Sequence, residues 1–365
     1  MKIPALEKYT VRDVLEYRGK PTLQHSVTEG NTVEDTLALM DRYNIVSVPV
    51  FGSPRVSGSD DSGAFVDILS VYDLRDYIVN SPGLDDEVGF QLLSGHASGK
   101  AIALHDTIGQ VVGSRKHASQ EIDIQASLED LMRLFSVRGQ HRVLVTGVGK
   151  EEMVEGAQQV PQSQRERGIS VDSGCSSLPS NNGDYDDDGC TYNRAEQNAA
   201  AGKAVCGLTQ YDVLRFIQHH NHELGHSILD TSVTNIMQGL PQQHVNLEKI
   251  TVRDPALHAL RQLSVAQASA LPVVDYDGKL ITEVAGTSMR SLTTHTLGLL
   301  GKPVLAYMFG LRMPVNEPYI VHPNFNISQI MSGLLRMNCR RVWVVDSNQR
   351  PLAVISLADV LGHLL

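Results

Sequence analysis

The sequence predicts an α/β protein assembled from four related strand–helix–strand–strand–helix units. Three observations carry that prediction. First, a strand-like run ends on a helix-capping pair at three places, Ser70-Val-Tyr-Asp73, Thr209-Gln-Tyr-Asp212 and Ser356-Leu-Ala-Asp359. A Ser or Thr followed three residues later by an acid marks a helix start. Second, each of these runs follows another β-branched strand and a capped amphipathic helix. Third, the lead-in recurs at a near-constant distance: Val33 follows Val11 by 22 positions, and Ile327 follows Val304 by 23. A period this long with variable inserts marks duplicated supersecondary units. One such unit cannot close a core alone, so units should pack in pairs.

The first unit is expected over 9–80. Thr10 to Leu15 opens a short helix or turn. Asn31-Thr-Val-Glu34 reads as a capping box with Asn31 as N-cap, and Val33, Leu37 and Met40 give the buried face. Ile45–Phe51 is a strand, 52–64 a loop, and Phe65–Leu69 the returning strand before Ser70. The second unit is expected over 84–219. Ser127-Leu-Glu-Asp130 caps a helix with Leu128, Leu131, Met132 and Phe135 inward, and Gln140–Thr146 is its strand. Residues 150–203 then break the pattern with ten acidic and five basic side chains and few apolar ones. Such composition predicts a disordered loop between two strands of one sheet. The strand resumes at Ala204–Leu208.

The third unit is expected over 232–294. Asp254-Pro255 reads as N-cap and first helical residue, with Leu257, Leu260 and Leu263 buried. Ala268–Asp275 and Leu280–Val284 are its strands, joined by a turn at Tyr276–Lys279. Its closing position reads Ala285-Gly-Thr-Ser288, with a serine where the other units carry an acid. The fourth unit, 303–365, is the most regular.

Composition narrows the function. The formal net charge is −10, which disfavours a general nucleic-acid binder but leaves room for a local basic pocket. No apolar run reaches the roughly 18 residues of a membrane span, and the charged N-terminus lacks a signal core. The four cysteines form no C-x-x-C pair, so neither a disulfide framework nor a structural zinc site is expected. A cytoplasmic location, or a nuclear one, fits.

With these residues in view, the chain resembles a tandem of four cystathionine-β-synthase (CBS) domains. It is most similar to the γ regulatory subunits of the AMP-activated/sucrose-non-fermenting protein kinases. Ser269–Asp275, Arg341–Asp346 and Val354–Asp359 carry the likeness. The resemblance implies two CBS pairs (Bateman modules) in a flattened disk, with AMP, ADP or ATP in clefts around its centre. It implies a regulatory subunit with no catalytic activity, partnered by a kinase catalytic and a scaffold subunit.

The candidate residues follow from chemistry and resemblance together. A carboxylate in the first turn of a helix is favoured by the free N–H groups there. Read blandly, Ser70/Asp73, Thr209/Asp212 and Ser356/Asp359 are helix caps. The resemblance adds that Asp73, Asp212 and Asp359 accept the hydroxyls of a ribose. The third cleft, with Ser288, should then bind weakly or not at all. His141-Arg142 and Arg340-Arg341 stand just before the inner strands of units two and four, where the resemblance assigns phosphate contacts. Arginine suits that task because its planar fork matches phosphate oxygens. Arg312, before the fourth unit's helix, is a further candidate.

Two rival readings come from other classes. His222-Glu-Leu-Gly-His226 matches the H-E-x-x-H zinc-peptidase pattern, which needs both imidazoles on one helix face and a third ligand. No continuation supplies that ligand, so a solvated linker is the simpler expectation. The other rival is a CBS scaffold that binds a partner without nucleotide.

Overall fold

Four three-stranded sheets, one per expected unit, carry the architecture. The computed structural model describes residues 6–19, 25–52, 65–81, 103–115, 120–137, 140–147, 206–313 and 317–365. The acidic stretch expected to be a disordered loop lies outside the described residues.

In the first unit, α1 (Val11–Arg18) precedes β1 (Val27–Thr28), α2 (Val33–Arg42), β2 (Ser47–Phe51), β3 (Phe65–Ser70) and α3 (Val71–Val79). The second repeats this with α4 (Ile108–Ser114), β4 (Glu121–Asp123), α5 (Leu128–Ser136), β5 (Arg142–Thr146), β6 (Cys206–Thr209) and α6 (Gln210–His219). A short α7 (His226–Leu229) connects to the third unit: α8 (Val233–Gln238), α9 (Gln242–Val245), β7 (Ile250–Thr251), α10 (Ala256–Val265), β8 (Ala270–Val274) and β9 (Leu280–Ala285). There the closing helix is a single 3-10 turn at Gly286–Met289. Gly, Ser and Thr are weak helix formers, and no acid stabilises the turn. The fourth unit holds α11 (Val304–Gly310), β10 (Ile320–Val321), α12 (Ile327–Arg336), β11 (Arg341–Val345), β12 (Pro351–Ser356) and α13 (Leu357–His363).

Each first strand runs parallel to the inner strand, and the inner strand pairs antiparallel with the returning one. Two expected caps move by one residue. The N-cap of α2 is Thr32, boxed with Asp35, because the Asn31 side chain is taken by the Thr28 N–H at 2.7 Å. Glu34, expected to close that box, instead accepts from the Thr294 N–H at 2.9 Å. Pro255, not Asp254, caps α10, since Asp254 accepts from the Thr251 N–H at 2.7 Å. In both places a short polar side chain finds a nearer backbone donor in the preceding turn.

The leading helices are exchanged between neighbours. Val11 N–H donates to Ala126 O at 2.9 Å and Leu128 N–H to Tyr9 O at 2.9 Å, so α1 seats on the second unit. In return α4 seats on the first, through Ile108 N–H to Asn31 O at 2.8 Å. Units three and four make the same exchange through Val233, bonded to Phe325 O, and Val304, bonded to Asp254 O. These exchanges define two pairs. The cores then join the pairs crosswise. Leu37 and Leu74 of unit one share a core with Leu260 and Met289 of unit three. Phe135 and Leu214 of unit two share another with Ile330 and Leu361 of unit four. A third, around the fully buried Trp343, lies between the sheets of units three and four. Buried apolar side chains of this size stabilise by about 1.5–3 kcal/mol each, so these contacts close the four units into a ring in the order one, two, four, three.

Candidate functional site

Sheet register brings the predicted residues together. The first residue of each inner strand pairs with the residue that caps the closing helix: Arg142 with Thr209, Arg341 with Ser356, Ser47 with Ser70, and Ala270 with Ala285. In units two and four a guanidinium therefore starts beside a helix N-terminus. The caps themselves are built as the sequence suggests. The Ser356 N–H donates to Asp359 Oδ2 at 2.7 Å, and its hydroxyl donates to the same oxygen at 2.6 Å. Ser70 and Thr209 hold Asp73 and Asp212 in the same way.

Ser70, Asp73, His141, Arg142, Arg340, Arg341, Ser356 and Asp359 all line one cavity of about 1550 Å³ at the junction of the units. That space exceeds the few hundred to 1,000 Å³ of an ordinary small-molecule pocket. Thr209, Asp212 and Arg312 do not line it. Asp212 turns instead towards Arg18, 3.6 Å away. Arg312 is exposed and follows α11 in the left-handed backbone region, with φ 54°. In the third unit the side of the cleft near Ser288 is filled by protein. The Tyr72 ring lies where a Cβ on Gly286 would meet it at 2.6 Å, and Ser288 is buried.

Two members of the expected phosphate cluster offer a ligand less free charge than their types imply. His141 is neutral: burial, then Arg340, Arg341 and Arg75, push its imidazole down to about 3. It stacks on Tyr72 with ring centroids 4.5 Å apart. It is thus a hydrogen-bonding group and not a cation. Arg341 is buried, and its charge is matched by Glu283, which also accepts from Trp343 Nε1 at 2.7 Å. Burial pushes Arg142 down to about 10, with Asp212 partly offsetting this. Arg340 has no ion pair among the described residues. The buried Nε groups of Arg142 and Arg341 and the Tyr72 hydroxyl have no acceptor. The cavity wall thus presents N–H and O–H donors that no protein group accepts, beside the Arg340 guanidinium, which suits an anion.

A neutral, half-buried histidine has a pH consequence. The unfolded chain binds that proton near its ordinary value of 6.5, whereas the folded chain binds it only near 3. Stability contributed by the neutral ring is complete above about pH 6.5 and declines as pH falls below it. Because the ring borders a cavity, the loss between pH 7 and pH 5 should be about 1–2 kcal/mol. Urea unfolding at the two pH values checks this, and His141→Gln should shrink the difference.

Sequence reasoning missed the groups that hold the three acids. Arg115 Nε lies 3.1 Å from Asp73 Oδ1, and its Nη1 lies 2.6 Å from Asp67 Oδ2. Arg18 faces Asp212, and His244 Nδ1 sits 3.0 Å from Asp359 Oδ2. Each comes from the exchanged leading segment of the neighbouring unit. Arg18 and Arg115 were legible in principle, since each stands seven positions after the first residue of its helix, Val11 and Ile108. His244 has no such signal; it lies in the short α9 that follows α8.

The H-E-x-x-H pattern does not make a metal site here. His222 lies in a 3-10 turn and His226 starts α7, separated by Gly225 at φ 79°. The two rings therefore do not share one helix face. Glu223 is held by the Tyr9 hydroxyl and by Lys8, each at 2.9 Å. No group of three potential ligands converges among the described residues.

Comparison with known proteins finds relatives of the fold. The CBS domain family matches residues 10–80 and 312–365, which are units one and four. The 5'-AMP-activated protein kinase subunit gamma of Saccharomyces cerevisiae is 23% identical over 164 residues, 44% of this chain and 49% of that protein. The chain thus spans about half the length of this curated relative. A crystal structure from Methanocaldococcus jannaschii, described as a proposed archaeal homologue of g-AMPK, superposes with a TM-score of 0.58. It covers 94% of this chain and 96% of its own at 12% identity, which extends the likeness in fold to all four units.

Proposed function

We propose that this CBS-domain protein, which resembles the γ subunit of AMP-activated protein kinase, is a regulatory protein that binds adenine nucleotides. On this reading it is a γ-type subunit of an AMP-activated-like Ser/Thr protein kinase complex, in the cytoplasm or nucleus, with catalytic and scaffold subunits as partners. It carries out no chemistry of its own. The observation that carries the reading is that Asp359 and Arg340 line one cavity. The acid at the start of α13 accepts ribose hydroxyls, and Arg340 with the unpaired N–H groups of Arg142 and Arg341 receives phosphate. Bound anion would bridge units two and four, and a ligand shifts such packing only by its difference in affinity between states.

One observation favours a scaffold that needs no nucleotide: each repeat acid already holds a basic group of this chain. Calorimetric titration with AMP, ADP and ATP separates the two. Saturable heat with at least one of them is expected; none with all three leaves the scaffold.

A further inference from the structure

We infer that His244 occupies, at Asp359, the place that a ribose diol would take, and that it competes with ligand there. This rests on the nucleotide reading above and concerns how that site is gated. Nδ1 of His244 lies 3.1 Å from Asp359 Oδ1 and 3.0 Å from Oδ2, so one imidazole donor spans both oxygens. A cis-diol would offer its two hydroxyls to the same pair. The contact covers the acid, leaving the Asp359 side chain 8% exposed against 22% for His244.

The segment that brings His244 is built to move. α9 is four residues long, follows its N-cap Pro241 and buries none of its residues. A segment with so few buried contacts opens at low free-energy cost. Pro241 and Gln243 line the same cavity, so outward motion of this turn widens the space beside Asp359.

The corresponding contact at Asp73 has the opposite character. Arg115 holds Asp73, the buried Asp67 and the Ile68 carbonyl together. Releasing it would take the guanidinium from a carboxylate whose side chain is 6% exposed, and breaking a buried ion pair is strongly unfavourable. Arg115 is therefore a fixed clamp and His244 a displaceable plug. This makes Asp359 the exchangeable acid of the cavity.

Calorimetry on wild type and His244→Ala, with AMP and with 2′-deoxy-AMP as probes, tests this. His244→Ala should bind AMP about three- to tenfold more tightly and gain much less for the 2′-deoxy probe, which lacks the diol. Equal or weaker AMP binding, or the same gain for both probes, overturns the plug while leaving the nucleotide reading intact. Binding by His244→Ala alone, where wild type shows none, supports both. No heat from either protein removes both.

Discussion

Asp359→Asn should weaken AMP binding about ten- to hundredfold and leave the fold in place. Hydrogen bonds to a charged acceptor contribute about 1.5–3 kcal/mol each, and a ribose would place two of them on this carboxylate. An amide keeps one oxygen for the Ser356 N–H, so the cap of α13 survives. What it loses is the anionic charge at the helix start, worth about 0.3–1 kcal/mol in stability. Asp73→Asn is the internal comparison. One oxygen of Asp73 serves the Ser70 cap and the other is already bonded to Arg115, so its substitution should change affinity less than about threefold. Calorimetry on the two variants, with thermal unfolding as the control, gives the answer. Equal affinities for wild type and Asp359→Asn would remove the ribose role from α13.

What was legible in the sequence was local. Ser70, Thr209 and Ser356 announce helix starts because the capping box lies within four residues, and the structure builds each of them. The third unit's missing acid was equally plain at Ser288, though not the reason its cleft is closed: Tyr72, from unit one, packs on Gly286. Long-range facts were hidden. Nothing in the order of units says that unit one shares a core with unit three, because that depends on which apolar face meets which. The charge state of His141 was also out of reach. A histidine before a strand looks cationic until three arginines from other elements are placed around it. Arg341 likewise reads as a free cation beside Arg340, since its partner Glu283 lies 58 positions away in another unit. Sequence spacing identifies groups that share an element; it does not identify those that a ring of units brings face to face.

That hidden pair sets the largest expected stability effect. Glu283→Ala should cost about 3–5 kcal/mol of unfolding free energy, because it leaves the Arg341 guanidinium buried without its counter-charge. It also takes the acceptor from Trp343 Nε1, whose ring fills the core between units three and four. The side chain of Arg341 is 6% exposed and that of Glu283 is 28% exposed, so the arginine bears most of the penalty. Urea unfolding of Glu283→Ala, Arg341→Met and the double variant forms a cycle. The double variant should recover much of the loss, since removing both members of a buried pair leaves no stranded charge. If it is no more stable than Glu283→Ala, the two residues do not act as a pair. Recovery of stability should not bring back ligand binding. Arg341 lines the cavity and keeps an N–H that no protein group accepts, so the refolded double variant should still bind AMP more weakly than wild type. Such a split would show that Glu283 serves the fold by holding in place, at the cavity wall, a cation that the fold alone does not need.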